Sequence, residues 1–322
     1  MARVQNARMI GPLERALFLK SLAPFGDSLS PMHTAVLAEN AQERTFRSGE
    51  AIHTPGRAVE CFHTVVSGSV LVSGGEYFEG SRVEERGTVG FLSMIARRDA
   101  GLSSVALEDT VTLSFDEDVF LDILEDNFAI LVRLIRSLTR QTLAHRQQIP
   151  EGTYLAPLDG QEGLPRDPTD FVERLRLLRR PGGVFGNSSM EAMARISAAT
   201  PPVRIEAGKT LWKVGDRADH ALIIASGTVA CTTQWGLSHF RAGPGYPLGN
   251  LERFSGDPRW FTAVTETPLV ALYTSTERLL DIMEDHTDLA IHLLRATAER
   301  LIRIQEENLE TEQAARESEG AA

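Results

Sequence analysis

Only two cysteines, Cys61 and Cys231, occur in 322 residues. They form no disulfide framework and no paired spacing of the kind that holds zinc, so both read as reduced thiols and no metal site is expected. Positive charge is scarce as well: 33 Lys and Arg face 44 Asp and Glu, a net charge of −11. A surface this acidic repels phosphate backbones and anionic lipid, which argues against non-specific nucleic-acid or membrane binding. No stretch approaches the roughly 20 apolar residues that span a bilayer. The first twenty residues carry Arg3, Arg8 and Arg15 without the apolar core of a secretory signal. The expectation is a soluble, cytoplasmic protein long enough for two domains.

What the chain does contain is an internal repeat. SGEAIHTPGRAVECFHTVVSGSV, from Ser48 to Val70, corresponds to AGKTLWKVGDRADHALIIASGTV, from Ala207 to Val229. Gly49, Gly56 and Gly68 match Gly208, Gly215 and Gly227, each pair 159 residues apart. The register continues without a gap through Gly90 and Gly249, Leu113 and Leu272, and Leu121-Asp122-Ile123 with Leu280-Asp281-Ile282. Each unit opens with a helical pattern (Leu13, Ala16, Leu17, Leu19; Val172, Leu175, Leu177, Leu178). Short β-branched runs follow, punctuated by glycine turns as in an all-β barrel or sandwich. A long helix then closes each unit, through Phe128, Leu131, Leu134, Ile135 and Leu138, and through Leu289, Leu293, Leu294, Leu301 and Ile304. This predicts domains at 12–147 and 171–310, a Pro/Gly-rich linker at 148–170, and a disordered acidic tail at 311–322.

One segment in each unit has the makings of an anion cradle. In the second it runs from Pro247 to Thr267, PLGNLERFSGDPRWFTAVTET: Gly249 lets the main chain come close, and Arg259 offers a planar fork. In the first it runs from Thr88 to Asp109, and Ala100 stands where the arginine would be.

The repeat, its Ser-Gly-(Ser/Thr)-Val turn and this segment resemble cyclic nucleotide-binding domains. Such domains occur in bacterial catabolite activator proteins and, as a tandem pair, in regulatory subunits of cAMP-dependent protein kinase. The resemblance covers nearly the whole chain and implies a mainly β fold with flanking helices: two tandem jelly-roll barrels, each followed by a long closing helix. It implies a non-enzymatic regulatory or sensor protein that signals to a protein partner, with cAMP or cGMP as ligand of the second domain. The alternative is a scaffold whose two pockets no longer bind nucleotide. The family's cassette reads Phe-Gly-Glu, a short apolar helix, then Pro-Arg-Ala-Ala-Thr; its glutamate holds the ribose hydroxyl and its arginine the cyclic phosphate. The matching residues here are Leu248, Gly249, Asn250, Leu251, Arg259, Trp260, Phe261 and Thr262. The arginine is kept, the glutamate has become Asn250, and two aromatics replace the small residues after the arginine. In the first unit Phe91 and Ala100 replace both functional residues, so that pocket is expected not to bind.

Other motifs carry less. Gly26-Asp27-Ser28-Leu29 spells the opening of a lipase and esterase family, but none of the eight histidines has the Asp three places before it that this family needs. Cupin metal sites resemble His-x-His followed by Glu, and His53 and His63 lack that spacing. The arginines at 133, 136 and 140, and those at 174, 176, 179 and 180, read as solvated faces meeting nearby acids rather than nucleic-acid stripes. No helix-turn-helix pattern follows the second closing helix. In that helix Ile291, Leu294, Ala298 and Leu301 suit either a two-stranded dimer seam or packing within the chain.

Overall fold

The computed structural model describes residues 11–22, 30–74, 78–146, 151–155, 163–179, 185, 188–233 and 238–320. The chain divides into two compact units, one of residues 1–134 with 298–322, the other of 135–297.

The first unit opens with α1 (Pro12–Lys20) and α2 (Pro31–Asn40). Pro at N1 presets the helical φ of α2, and the Ser30 hydroxyl caps it by accepting from the His33 amide at 3.2 Å. Eight strands follow: β1 (Gln42–Phe46), β2 (Ala51–His53), β3 (Cys61–Ser67), β4 (Val70–Gly74), β5 (Phe78–Val83), β6 (Thr88–Val89), β7 (Leu102–Ala106) and β8 (Thr110–Asp116). A short helix, α3 (Phe91–Ala96), interrupts them between β6 and β7; α4 (Glu117–Asp126) comes after, then α5 (Phe128–Arg146), which from Ile135 belongs to the second unit. The strands form two antiparallel four-stranded sheets, ordered β1-β8-β3-β6 and β2-β7-β4-β5. That alternation of strands between two facing sheets is the jelly roll. Val65, Val70 and Val89 pack between the sheets, while Phe62 lies against Phe91, Phe115 and Phe120 with ring centroids 5.0 to 5.3 Å away.

The second unit repeats the plan. After β9 (Tyr154–Leu155), α6 (Phe171–Leu178) and α7 (Met190–Ala199) come β10 (Pro202–Ile205), β11 (Thr210–Trp212), β12 (His220–Ser226), β13 (Val229–Thr233), β14 (His239–Ala242) and β15 (Pro247–Leu248). Then follow α8 (Asn250–Ser255), β16 (Phe261–Thr265), β17 (Leu269–Ser275), α9 (Thr276–Asp285) and α10 (Thr287–Gly320), which from Ala298 belongs to the first unit. One sheet is ordered β10-β17-β12-β15, the other β11-β16-β13-β14-β9. Even the irregularities recur: the register shifts at Ala51/His53 and Val65/Ser67 return at Thr210/Trp212 and Ile224/Ser226. Neither pair of sheets closes into a continuous barrel among the described strands.

Two segments depart from the sequence expectation. Tyr154 and Leu155, inside the expected linker, add a parallel edge strand to β14, and Leu155 is buried in the core. Such pairing is a main-chain interaction and needs no side-chain period. Helix α10 runs on to Gly320 through the expected tail, in a sequence of Glu, Gln, Ala and Arg that favours helix. Ile291, Leu294, Ala298 and Leu301 are all buried within the chain itself.

Candidate functional site

In the second unit the cassette turns sharply at Gly249, which has φ of +76°. A side chain there would be strained in the left-handed region, and its Cβ would collide with the Arg259 guanidinium and meet the Trp212 ring at 3.1 Å. Arg259 is only 1% exposed. Its main chain is pinned to the Gly215 turn, Gly215 donating to the Arg259 carbonyl at 2.8 Å and the Arg259 amide to Asp216 at 2.9 Å. Its Nη1 donates to the Gly249 carbonyl at 3.0 Å and its Nη2 to the His220 carbonyl. The guanidinium carbon Cζ lies 4.0 Å from the centre of the Trp212 ring, a cation–π contact out of water. Nε is buried without a partner.

The charges around it are unusual for an interior. Glu252, 1% exposed, has its carboxyl pushed up by burial, against the pull of Arg259 and a hydrogen bond from Trp260. Burial pulls Arg253 down to about 9, and Arg259 adds repulsion. Arg253 Nη1 donates to the Thr274 carbonyl at 3.1 Å and hydroxyl at 2.7 Å. Burial likewise lowers Arg259, with Glu252, Asp219 and Asp216 acting the other way. Arg259 therefore meets Glu252 through the field of a dry interior rather than in a direct ion pair, while Asp257 pairs with Arg140 at 3.3 Å.

The remaining expected ligand residues divide between core and rim. Leu248 and Phe261 are core residues at 0% and 3% exposure. Trp260 stacks on Phe240 at 5.5 Å and meets Phe261 edge-on at 5.0 Å. The Thr262 hydroxyl accepts from the Val214 amide at 3.2 Å. Leu251 is half-buried on α8. Asn250 lines a cavity of about 20 Å³ with Leu178, Phe185, Ile223, Pro247, Arg253 and Thr274. Ile223 alternates with the core residues Leu222 and Ile224, so this cavity lies on the outer face of the sheet. It has room for about one water.

The first unit solves the same corner differently. Gly90 keeps the left-handed turn at φ +83°, but the group its missing Cβ leaves room for is the His53 ring. His53 is the register counterpart of Trp212, and its Nε2 faces the Cys61 carbonyl at 3.3 Å, the counterpart of the His220 carbonyl. An imidazole thus fills the space of the absent arginine. Burial lowers His53, and His63 falls to about 4, through burial first and then the nearby His53 and Arg44. Burial raises the Cys61 thiol. At neutral pH none of the three carries positive charge for a phosphate. Arg97 and Arg98, the nearest cations in sequence, pair instead with Glu117 at 2.7 Å and Glu306 at 2.8 Å.

The sequence residues 43–127 and 202–286 match the family described as cyclic nucleotide-binding domain, and the two matches begin 159 residues apart. The chain belongs to the cyclic nucleotide-binding domain family. Its two such domains are in tandem, and solved structures similar to it are protein kinase A regulatory subunits and bacterial regulators. The regulatory domain of Toxoplasma gondii PKA with cAMP is 13% identical, covering 86% of this chain and 94% of that one at a TM-score of 0.34. The regulatory subunit of a cAMP-independent protein kinase A from Trypanosoma brucei is 12% identical, with coverages of 92% and 95% and a TM-score of 0.33. The N-terminal domain of a Streptomyces coelicolor transcriptional regulator is 27% identical over 40% of this chain and 95% of that one, at 0.37. No curated protein matches the sequence.

Within the cyclic nucleotide-binding domains, sequence reasoning found Arg259 but not Trp212 and the two carbonyls that occupy it. It weighed His53 with His63 as a cupin-type pair and read Cys61 as a reduced thiol. The structure sets them side by side, with one ligand-type atom from each within 4.8 Å of the others. The available signal was Cys61-x-His63 on a strand, since residues two apart share a face. The arginine-rich helices meet carbonyls as well as the acids expected: Arg174 donates to the Ser197 carbonyl, Arg176 to Gly163 and Arg179 to Ser188, while Arg140 pairs with Asp257. The Gly26–Leu29 tetrad and Arg180 lie outside the described residues. Among the described residues no helix is long and apolar enough to cross a membrane.

Proposed function

We propose that the protein is a non-enzymatic regulatory module that works through contacts with a protein partner, using its two cyclic nucleotide-binding domains as a platform rather than as nucleotide receptors. One observation carries this reading: Arg259, at the position of the family's phosphate arginine, donates from Nη1 to the Gly249 carbonyl and from Nη2 to the His220 carbonyl and rests on Trp212. A cyclic phosphate would have to open a corner in which Arg259 is 1% exposed before it reached the N–H groups left over. In the first domain Ala100 provides no cation at all. Desolvating a phosphate against uncharged groups is costly.

A second reading is favoured by the intact length of the cassette and by the unpartnered, buried Nε of Arg259. In it, cAMP or cGMP enters the second domain, recruits Arg259, and is held at the ribose by Asn250 and at the base by Trp260. The ligand would then bias the helices that follow β17. Isothermal titration of the full chain with cAMP and with cGMP separates the two. No heat of binding with either supports the platform; saturable binding abolished by Arg259→Ala supports the receptor.

A further inference from the structure

The geometry points to a binding site for a thiophilic divalent cation, zinc by preference, in the first domain, made by His53 on β2 and by Cys61 and His63 on β3. The three residues come from both sheets: β2 lies in one, and β3, with Cys61 and His63, in the other. One ligand-type atom from each lies within 4.8 Å of the other two. Cys61 Sγ and His63 Nε2 are 3.5 Å apart, and ligands of a tetrahedral zinc with nitrogen at about 2.0 Å and sulfur at about 2.3 Å stand roughly 3.5 Å from each other. The pair therefore stands at the separation that a shared ion requires. The set of two imidazoles and one thiolate suits zinc over magnesium or calcium, which prefer oxygen. A fourth position is left to solvent or another ligand.

The surroundings orient these groups. His63 Nδ1 lies 3.0 Å from the Thr112 hydroxyl on β8, a partner to which it can donate so that the Nε2 lone pair is kept for the ion. Phe46 closes the site edge-on to His63 at 5.5 Å. His53 Nδ1 is buried and has no hydrogen-bond partner, an orphan that a purely structural imidazole would be expected to satisfy. Binding exchanges one proton for one metal–sulfur bond: the cation takes the Cys61 sulfur as thiolate, and the thiol proton leaves to solvent. The bound ion would tie the two sheets together across the corner where the second domain has Arg259 and Trp212.

The test is titration of tag-free, chelator-treated full-length protein with Co²⁺, followed by displacement with Zn²⁺. The expected result is one Co²⁺ per chain, with a thiolate-to-metal charge-transfer band that Zn²⁺ removes. The band is lost in Cys61→Ser, and Thr112→Val weakens affinity by about tenfold. Should Cys61→Ser fail to fold, alkylation of the wild type reads the same point: Zn²⁺ protects Cys61 from a thiol reagent, mapped by mass spectrometry, and Mg²⁺ does not. Absence of the band in the wild type, the same band in folded Cys61→Ser, or equal alkylation with and without Zn²⁺ would overturn the proposal.

Discussion

The Arg259 guanidinium sits 4.0 Å from the centre of the Trp212 ring, and where the second domain has Trp212 the first has His53. The exchange is coupled to a second one, Arg259 for Ala100. An indole shelf without its cation would leave a gap beside Gly90. A histidine fills that gap and still offers a nitrogen to the strand carbonyl that the arginine would have met. In the second domain the arginine is consequently part of the fold.

Replacing Arg259 by Ala should therefore destabilise the ligand-free second domain by about 2–4 kcal/mol, since a buried and a partly buried carbonyl lose their donor and Trp212 loses its partner. Arg259→Lys should recover little, because an ammonium cannot span both carbonyls as a planar fork does. Trp212, Trp235 and Trp260 are the only tryptophans, so denaturant unfolding followed by their emission reads this domain. A loss below about 0.5 kcal/mol, typical of an exposed side chain, would contradict the assignment.

Gly249 and Gly208 both have positive φ, of +76° each, but Gly208 has open space where a Cβ would go and Gly249 has Arg259. Gly208→Ala should cost about 1 kcal/mol for the left-handed backbone alone. Gly249→Ala should cost at least about twice that, because the guanidinium must move as well. Equal costs in parallel denaturation curves would show that Arg259 yields freely.

Among the described residues two that are not glycine take positive φ, Arg86 at 71° and Arg97 at 48°. Their register counterparts are Gly245 and Gly256, at 84° and 79°. The main chain keeps the repeat where the side chains have drifted: the Arg86 amide donates to Val65 at 2.8 Å as the Gly245 amide does to Ile224 at 2.7 Å. Arg86→Gly should stabilise the first domain by about 1 kcal/mol. Arg97→Gly should gain somewhat less, since it gives up the half-exposed ion pair with Glu117. Circular-dichroism melts that fall rather than rise would refute this.

Burial raises the Glu252 carboxyl above its ordinary 4.5, outweighing Arg259 and Trp260, so the folded state favours its protonated form. Its contribution to stability is full below about 4.5 and is lost as pH rises through the raised value. Glu252→Gln should flatten the stability profile of the second domain on the side above 4.5 and leave it more stable at neutral pH than the wild type. Parallel profiles for the two proteins across that range would mean that the carboxylate is well solvated or fully paired.

Much of this fold was legible because the 159-residue register is carried by residues with strong local meaning. Gly49, Gly56 and Gly68 mark turns, and the Leu and Ile of the closing helices keep a helical period. Arg259 was legible as the cassette arginine, but its partners were not. Two of these are backbone carbonyls, which carry no sequence signal, and the third, Trp212, is 47 residues away on another strand. The same holds for His53 against Cys61 and His63, which meet only when the two sheets face each other. Strand β9 escaped because two residues have no period to read.

The most direct measurement is thermal melting of the full chain, wild type and Arg259→Ala, with and without saturating cAMP or cGMP. A ligand at 100 times its dissociation constant would stabilise the domain that binds it by about 2.7 kcal/mol. If Arg259 is held by Gly249, His220 and Trp212 as a structural element, neither nucleotide moves the wild-type transition, and the substitution lowers it with or without nucleotide. An upward shift in the wild type that disappears in Arg259→Ala would contradict this and make the second domain a nucleotide receptor.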